Sequence, residues 1–207
     1  MTGIYLITPP KLESSFPSQL NAALEAGDVA CVQLRLKGAS DDEWRKAIKE
    51  LMPICAAREI AFLLNDRADL AKEMGCDGVH VGQHDMPYDD ARKLLGPDKI
   101  IGVSAYASKD TAMELAAAGA DYVAFGSVFP SVTKEHAPPV PLSVLEDWAA
   151  MATTPCAAIG GITAENCAPL VRAGVDFLAV ISAVWNHEGG PAAGVRALQA
   201  AIEAAKV

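Results

Sequence analysis

Nothing in the chain reads as a membrane span, because no apolar run reaches the roughly 18 residues that a bilayer-crossing helix needs. There is no basic segment ahead of an apolar one either. Met1-Thr2-Gly3-Ile4-Tyr5-Leu6-Ile7-Thr8 goes straight into a strand-like run, so no signal peptide is expected. Cysteine is sparse and scattered. Cys31, Cys55, Cys76, Cys156 and Cys167 are odd in number and never in Cys-x-x-Cys spacing. That argues against a disulfide framework and against zinc, and fits a reducing cytoplasm. Cys31 and Cys156 read as small buried hydrophobes. Positive charge is in deficit, with 17 Lys and Arg against 26 Asp and Glu and a formal net charge of −9. Such a chain is a poor nucleic-acid partner, because that binding rests on many Lys and Arg contacts to phosphates. A small phosphorylated ligand needs only a local cluster of donors. Linkers rich in Pro or Ser and low-complexity tracts are missing too. The 207 residues, 51% of them apolar, therefore read as one soluble domain over 1–207.

What is present is a regular alternation. Short apolar runs at 4–8, 31–36, 61–64, 78–81, 100–104, 122–125, 156–159 and 177–181 are candidate strands, and helix-patterned segments separate them. Ser40-Asp41-Asp42-Glu43 has capping-box spacing. Ser108 and Thr163 suit helix N-caps, and Pro53 is expected to kink or split the second helix. A weak repeat supports the count. Gly27-Asp28, Gly75-Cys76-Asp77, Gly119-Ala120-Asp121 and Gly174-Val175-Asp176 each stand between a helix and a strand, about two β–α units apart. Glycine suits the left-handed position that ends a helix. Eight strands alternating with helices in one domain predict an α/β fold, a single (β/α)8 TIM barrel; an open doubly wound sheet is the alternative.

In such a barrel the chemistry belongs at the C-terminal ends of the strands. The second strand reads Val32-Gln33-Leu34-Arg35-Leu36-Lys37-Gly38, and a period of two puts Gln33, Arg35 and Lys37 on one face. A barrel strand has no solvent face, so these side chains point inward, where they are costly unless they meet an anion. Asn65-Asp66 follows the third strand, and Asp85 lies in the loop after the fourth. Two carboxylates at one end suit magnesium better than zinc; either Asp alone could be a helix N-cap. His80 is mid-strand and reads as a core histidine, and the neighbours of His84 suggest no role. Ser104 ends the fifth strand, where its hydroxyl can donate to a phosphate or cap a turn. The longest loop, roughly 126–141, carries Ser131-Val132-Thr133-Lys134, a candidate phosphate grip on a lid. Gly160-Gly161 ends the seventh strand and Ile181-Ser182 the eighth, the corner where this architecture holds phosphate. Two anion sites follow, one with a metal for a polyphosphate and one for a monophosphate. No Cys-His or Ser-His-Asp set is evident. The chemistry implied is displacement of pyrophosphate by charge stabilisation.

With these segments in place, the chain resembles the thiamine phosphate synthase family. The resemblance runs over "IYLIT", "VQLRLKG", "LNDRADLA", "DGVHVGQHDMP", "LLGPDKIIGVSA", "ADYVAFGSVFPSVTK", "AIGGIT" and "AGVDFLAVIS" in order. It implies a cytoplasmic transferase that condenses a hydroxymethylpyrimidine diphosphate with a thiazole phosphate, releases pyrophosphate, uses Mg2+ and works as a homodimer. It also implies a dissociative course through a pyrimidine-methyl cation. On the matching motifs, Gln33, Leu34, Arg35, Leu36, Lys37, Asn65, Ser104 and Lys134 bind the pyrimidine diphosphate. Ser131, Val132, Thr133, Gly161, Ile181 and Ser182 bind the thiazole phosphate, and Asp66 and Asp85 hold the metal. Arg35, Lys37 and Lys134 are the catalytic cations. Three features depart from the family pattern: Ser131 replaces a threonine, residues 135–141 are proline-rich, and Tyr106 stands where a small polar residue or histidine is usual. Two rivals stay open, a thiazole tautomerase on the same barrel and a paralogue that binds thiamine precursors without turnover.

Overall fold

Each apolar run becomes a strand of one closed parallel sheet. The computed structural model describes residues 2–130 and 139–206. Its strands are β1 (Gly3–Ile7), β2 (Val29–Leu34), β3 (Ala61–Asn65), β4 (Gly78–Val81), β5 (Ile100–Tyr106), β6 (Tyr122–Gly126), β7 (Cys156–Ile159) and β8 (Phe177–Val180). They pair in sequence order, and β8 returns to β1, with Gly3 opposite Phe177. The helices α1 (Phe16–Glu25), α2 (Asp41–Ala56), α3 (Ala68–Met74), α4 (Tyr88–Leu95), α5 (Lys109–Ala117), α6 (Leu142–Met151) and α7 (Ala168–Arg172) surround the barrel. A one-turn α8 (Ser182–Trp185) precedes α9 (Pro191–Ala205). This is the expected (β/α)8 barrel, and the open sheet is excluded by the β8–β1 pairing.

The period of two sorts residues into two cores. In β1, Ile4 and Leu6 point out to the helix layer, and Tyr5 and Ile7 point into the barrel. The interior is filled by Tyr5, Ile7, Cys31, Leu63, Tyr122, Ala124, Ala157 and Ala179. Most strand positions are covered on both faces, Ala30 of β2 and Tyr106 of β5 being exposed, so the strands read as largely apolar runs.

The Gly–Asp repeat has a structural cause. Asp77, Asp121 and Asp176 each use Oδ2 to accept the backbone N–H at or beside the start of the neighbouring strand. The donors are Phe62 at 2.8 Å, Ile101 at 2.7 Å and Cys156 at 2.8 Å. The preceding Gly75, Gly119 and Gly174 have positive φ, as a helix-ending turn requires; Gly27 does not. The capping box forms at Ser40 and Glu43, and Ser108 caps α5.

Two local expectations fail, and of the two outcomes expected at Pro53 the split is excluded. β2 begins and ends two residues earlier than expected, so Arg35 and Lys37 leave the strand and enter the loop. Pro53 does not split α2, because its missing N–H falls in the last turn, where one lost bond is tolerated. Thr163 caps no helix; α7 starts later, after Cys167, and the Thr163 N–H instead donates to Asn166 Oδ1 at 2.8 Å.

Candidate active site at the barrel mouth

β1 and β2 together hold the basic rim. The buried Thr8 hydroxyl accepts the Arg35 N–H at 3.0 Å, and the Thr8 N–H donates to the Gln33 carbonyl at 2.9 Å. The Lys37 N–H donates to the Pro10 carbonyl at 3.0 Å. Arg35 is half-buried and Lys37 exposed, and neither enters an ion pair among the described residues. Leu34 packs outward under the helices and Leu36 leans on the same layer, so only their backbone faces the mouth.

The acidic rim is built by two turns. Asp66 has φ of 64°, and its N–H donates to the His80 carbonyl at 2.8 Å, which ties the end of β3 to β4. Asp85 Oδ2 accepts the Gly82 N–H at 2.8 Å. This closes the loop after β4 and leaves α4 to start without a side-chain cap from Asp85. The two carboxyls come into hydrogen-bond contact, Asn65 Nδ2 donates to Asp66, and the Arg35 charge acts on Asp66. Partial burial, then the hydrogen bond and charge of Asp85, push the Asp66 carboxyl up to about 7; Arg35 and Asn65 pull the other way. A like-charged pair of hard oxygens at a solvent-open rim suits a divalent cation. Magnesium in particular takes one or two carboxylates and completes its shell with water and phosphate oxygens. Among the described residues no cluster of three or more His, Cys, Asp or Glu is arranged for a metal, so the pair has no third acidic partner there.

Beneath the rim lies a polar chain that the sequence reading largely missed. Gln33 Nε2 donates to the Tyr5 hydroxyl at 3.0 Å, and Tyr5 meets the Tyr122 hydroxyl at 2.7 Å. Tyr122 meets His80 Nδ1 at 2.9 Å, and His80 Nε2 meets Ser104 Oγ at 2.9 Å. Gln33 and Tyr5 are 2% exposed and Tyr122 is 5%, so these partners replace water almost completely. Burial holds His80 down at about 4 and therefore neutral. Room for the Tyr122 ring comes from Gly102, where a Cβ would lie 1.9 Å from a ring carbon. The signal for Tyr5 and Tyr122 was available, since each occupies an inward position of its strand. Gln33 lies at the bottom of this chain and Ser104 at its half-buried top.

The second corner is at β7 and β8. The backbone at Phe129 docks on Gly160, with N to O at 3.1 Å, and a Cβ on Gly161 would lie 2.7 Å from the Pro130 carbonyl. Gly161 also has φ of 65°, and Asn166 Nδ2 holds its carbonyl at 2.8 Å. Ser182 opens α8 next to Ile181, whose carbonyl accepts the Val184 and Trp185 N–H groups at 3.2 and 3.0 Å. Ser131, Val132, Thr133 and Lys134 lie outside the described residues, as does most of the proline-rich segment. The structure thus brings Arg35, Asn65, Asp66, Asp85 and Ser104 to one mouth, with Gln33 buried beneath it. Gly161, Ile181 and Ser182 stand at the ends of β7 and β8, and Lys37 is on the rim without a contact to either carboxylate.

A family model described as thiamine monophosphate synthase matches residues 4–184. The chain belongs to that family. Thiamine-phosphate synthase of Rhodospirillum centenum is 54% identical, over 93% of both chains. That of Hyphomonas neptunium is 51% identical, over 98% of this chain and 94% of the other. The solved thiamine phosphate pyrophosphorylase of Pyrococcus furiosus superposes with a TM-score of 0.87 at 34% identity, covering 98% of this chain and 96% of the other. Membership makes this chain a transferase of thiamine phosphate synthesis. No helix among the described residues is long and apolar enough to cross a membrane.

Proposed function

We propose that the barrel mouth joins a pyrimidine diphosphate to a thiazole phosphate in a magnesium-assisted displacement of pyrophosphate. The observation that carries this reading is the meeting of the Arg35 charge with the Asp66–Asp85 pair at the ends of three adjacent strands. The cation next to two hard carboxylates fits a diphosphate chelated to a metal. Asp66 and Asp85 would hold magnesium, which supplies charge neutralisation to the departing diphosphate.

The protein's own groups account for the rest. Arg35, Lys37 and Lys134 take up negative charge as the bond from the pyrimidine methylene carbon to the diphosphate oxygen breaks, with both electrons leaving on the pyrophosphate. The thiazole nitrogen then gives its lone pair to that carbon. Gln33, Asn65 and Ser104, with the backbone at Leu34 and Leu36, orient the pyrimidine diphosphate. Ser131, Val132, Thr133, Gly161, Ile181 and Ser182 hold the thiazole phosphate, so that the nitrogen faces the carbon. A cytoplasmic location and a homodimer complete the reading, and sedimentation tests the latter. A crystal soaked with magnesium and pyrophosphate is the direct test. The expected density bridges Arg35 and the two aspartates. Pyrophosphate bound elsewhere, or a metal away from Asp66 and Asp85, rejects the site assignment.

A further inference from the structure

The chain of hydroxyls under the mouth has a direction, and the direction reaches the substrate. Each link has one proton to place. Gln33 donates through Nε2, so the Tyr5 oxygen is an acceptor there and the Tyr5 hydrogen turns to Tyr122. Tyr122 then has its own hydrogen left for His80 Nδ1. A neutral imidazole that accepts at Nδ1 carries its hydrogen on Nε2. The Nε2–H therefore donates to Ser104 Oγ, and the Ser104 hydrogen cannot point back at His80. Its remaining direction is toward the open mouth, where Ser104 is only half-buried.

We propose that His80 is a positioning residue, held as the Nε2–H tautomer by Gln33, Tyr5 and Tyr122, which makes Ser104 a committed hydrogen-bond donor to the phosphorylated pyrimidine. This rests on the reading of Ser104 as a contact to that substrate. The rings fit a fixed relay. His80 and Tyr122 stack with centroids 5.6 Å apart at 26°, and Tyr5 meets Tyr122 edge-on at 5.8 Å. Without the relay, the Ser104 hydroxyl would turn its hydrogen to His80 and present only lone pairs to a substrate acceptor.

Two measurements decide this. The first is a long-range proton–nitrogen correlation spectrum of the nitrogen-15-labelled, substrate-free protein near neutral pH, with His80→Asn used to assign the ring. A neutral Nε2–H tautomer supports the proposal; an Nδ1–H tautomer, or an average of the two, overturns it. This readout needs no turnover, so its failure is separate from any failure of the substrate reading. The second is a double-mutant cycle on kcat/KM for the pyrimidine diphosphate. Tyr122→Phe keeps the ring and removes the donor to Nδ1, and should lower kcat/KM about tenfold, the size of one lost hydrogen bond. The KM for the thiazole phosphate should not move. In a Ser104→Ala background, Tyr122→Phe should cost less than about twofold, because no directed hydroxyl is left to lose. Independent, multiplying losses would mean that Tyr122 acts only on packing, and the proposal would fall.

Discussion

Two carboxyls in hydrogen-bond contact at an open rim cannot both ionise freely, and Asp66 carries the cost of that contact. Asp66→Asn removes the repulsion. The variant should therefore be at least as heat-stable as the parent when divalent cations are chelated, and should lose the gain in melting temperature that magnesium gives the parent. A thermal-shift titration checks both, and an undiminished magnesium response in the variant removes Asp66 from the metal site. His80 sets a different dependence. Its folded value is near 4 against 6.5 for the free side chain. Between those values the unfolded chain binds the proton more readily, so stability is complete above pH 6.5 and falls as the pH drops toward 4. His80→Asn should flatten this part of the profile, measured as urea midpoints at several pH values. A slope unchanged by the substitution would place the acid sensitivity elsewhere. Lys134 is argued from its motif alone. If it stabilises the leaving diphosphate, Lys134→Ala lowers kcat far more than it raises the Kd for thiazole phosphate, as stopped-flow and calorimetry would show; equal losses contradict the role.

Among the elements, β4, β6 and β8 carry their own starting clamps. Asp77, Asp121 and Asp176 each tie a strand entry to its neighbour. Asp121 is also paired with Arg92 at 2.6 Å, which draws α4 onto the same junction. The member of the repeat before β2, Asp28, is exposed and makes no such bond. This contrast gives an internal control. Asp77→Ala leaves the Phe62 N–H without its acceptor and should destabilise the protein by about 1–3 kcal/mol. Asp28→Ala should stay within about 0.5 kcal/mol of the parent. Denaturant midpoints compare the two, and equal effects would show that the repeat has no clamping role. The shift of β2 matters at this scale as well. The alternation Gln33, Arg35, Lys37 was legible, but the strand stops at Leu34. What holds Arg35 in place is then a tertiary bond from Thr8, not the pleat.

For the whole molecule, closure requires strands to pass closely at a few points. A Cβ on Gly78 would lie 1.9 Å from the Ile100 carbonyl oxygen, a backbone atom that cannot swing aside. Gly78→Ala should therefore push β4 from β5 and cost about 3 kcal/mol or more, the upper range for overpacking. A urea melt that shows less than about 1 kcal/mol would mean that the barrel flexes there.

The sequence by itself determined the eight-strand alternation, the (β/α)8 class and the ends of strands on which the polar residues sit. The reason is that periodicity, capping residues and turn glycines are local, and each is written within a few positions. It also marked Arg35, Asp66 and Asp85, because ionisable residues at strand ends stand out against apolar runs. Only the tertiary structure decided that Asp66 and Asp85 touch, that Gln33 is the floor of a buried relay, and that Tyr5, Tyr122, His80 and Ser104 continue it. Those contacts join residues from five different strands. Which inward side chains meet across a barrel depends on its stagger and on where glycine leaves room, and neither is a property of any short stretch of chain.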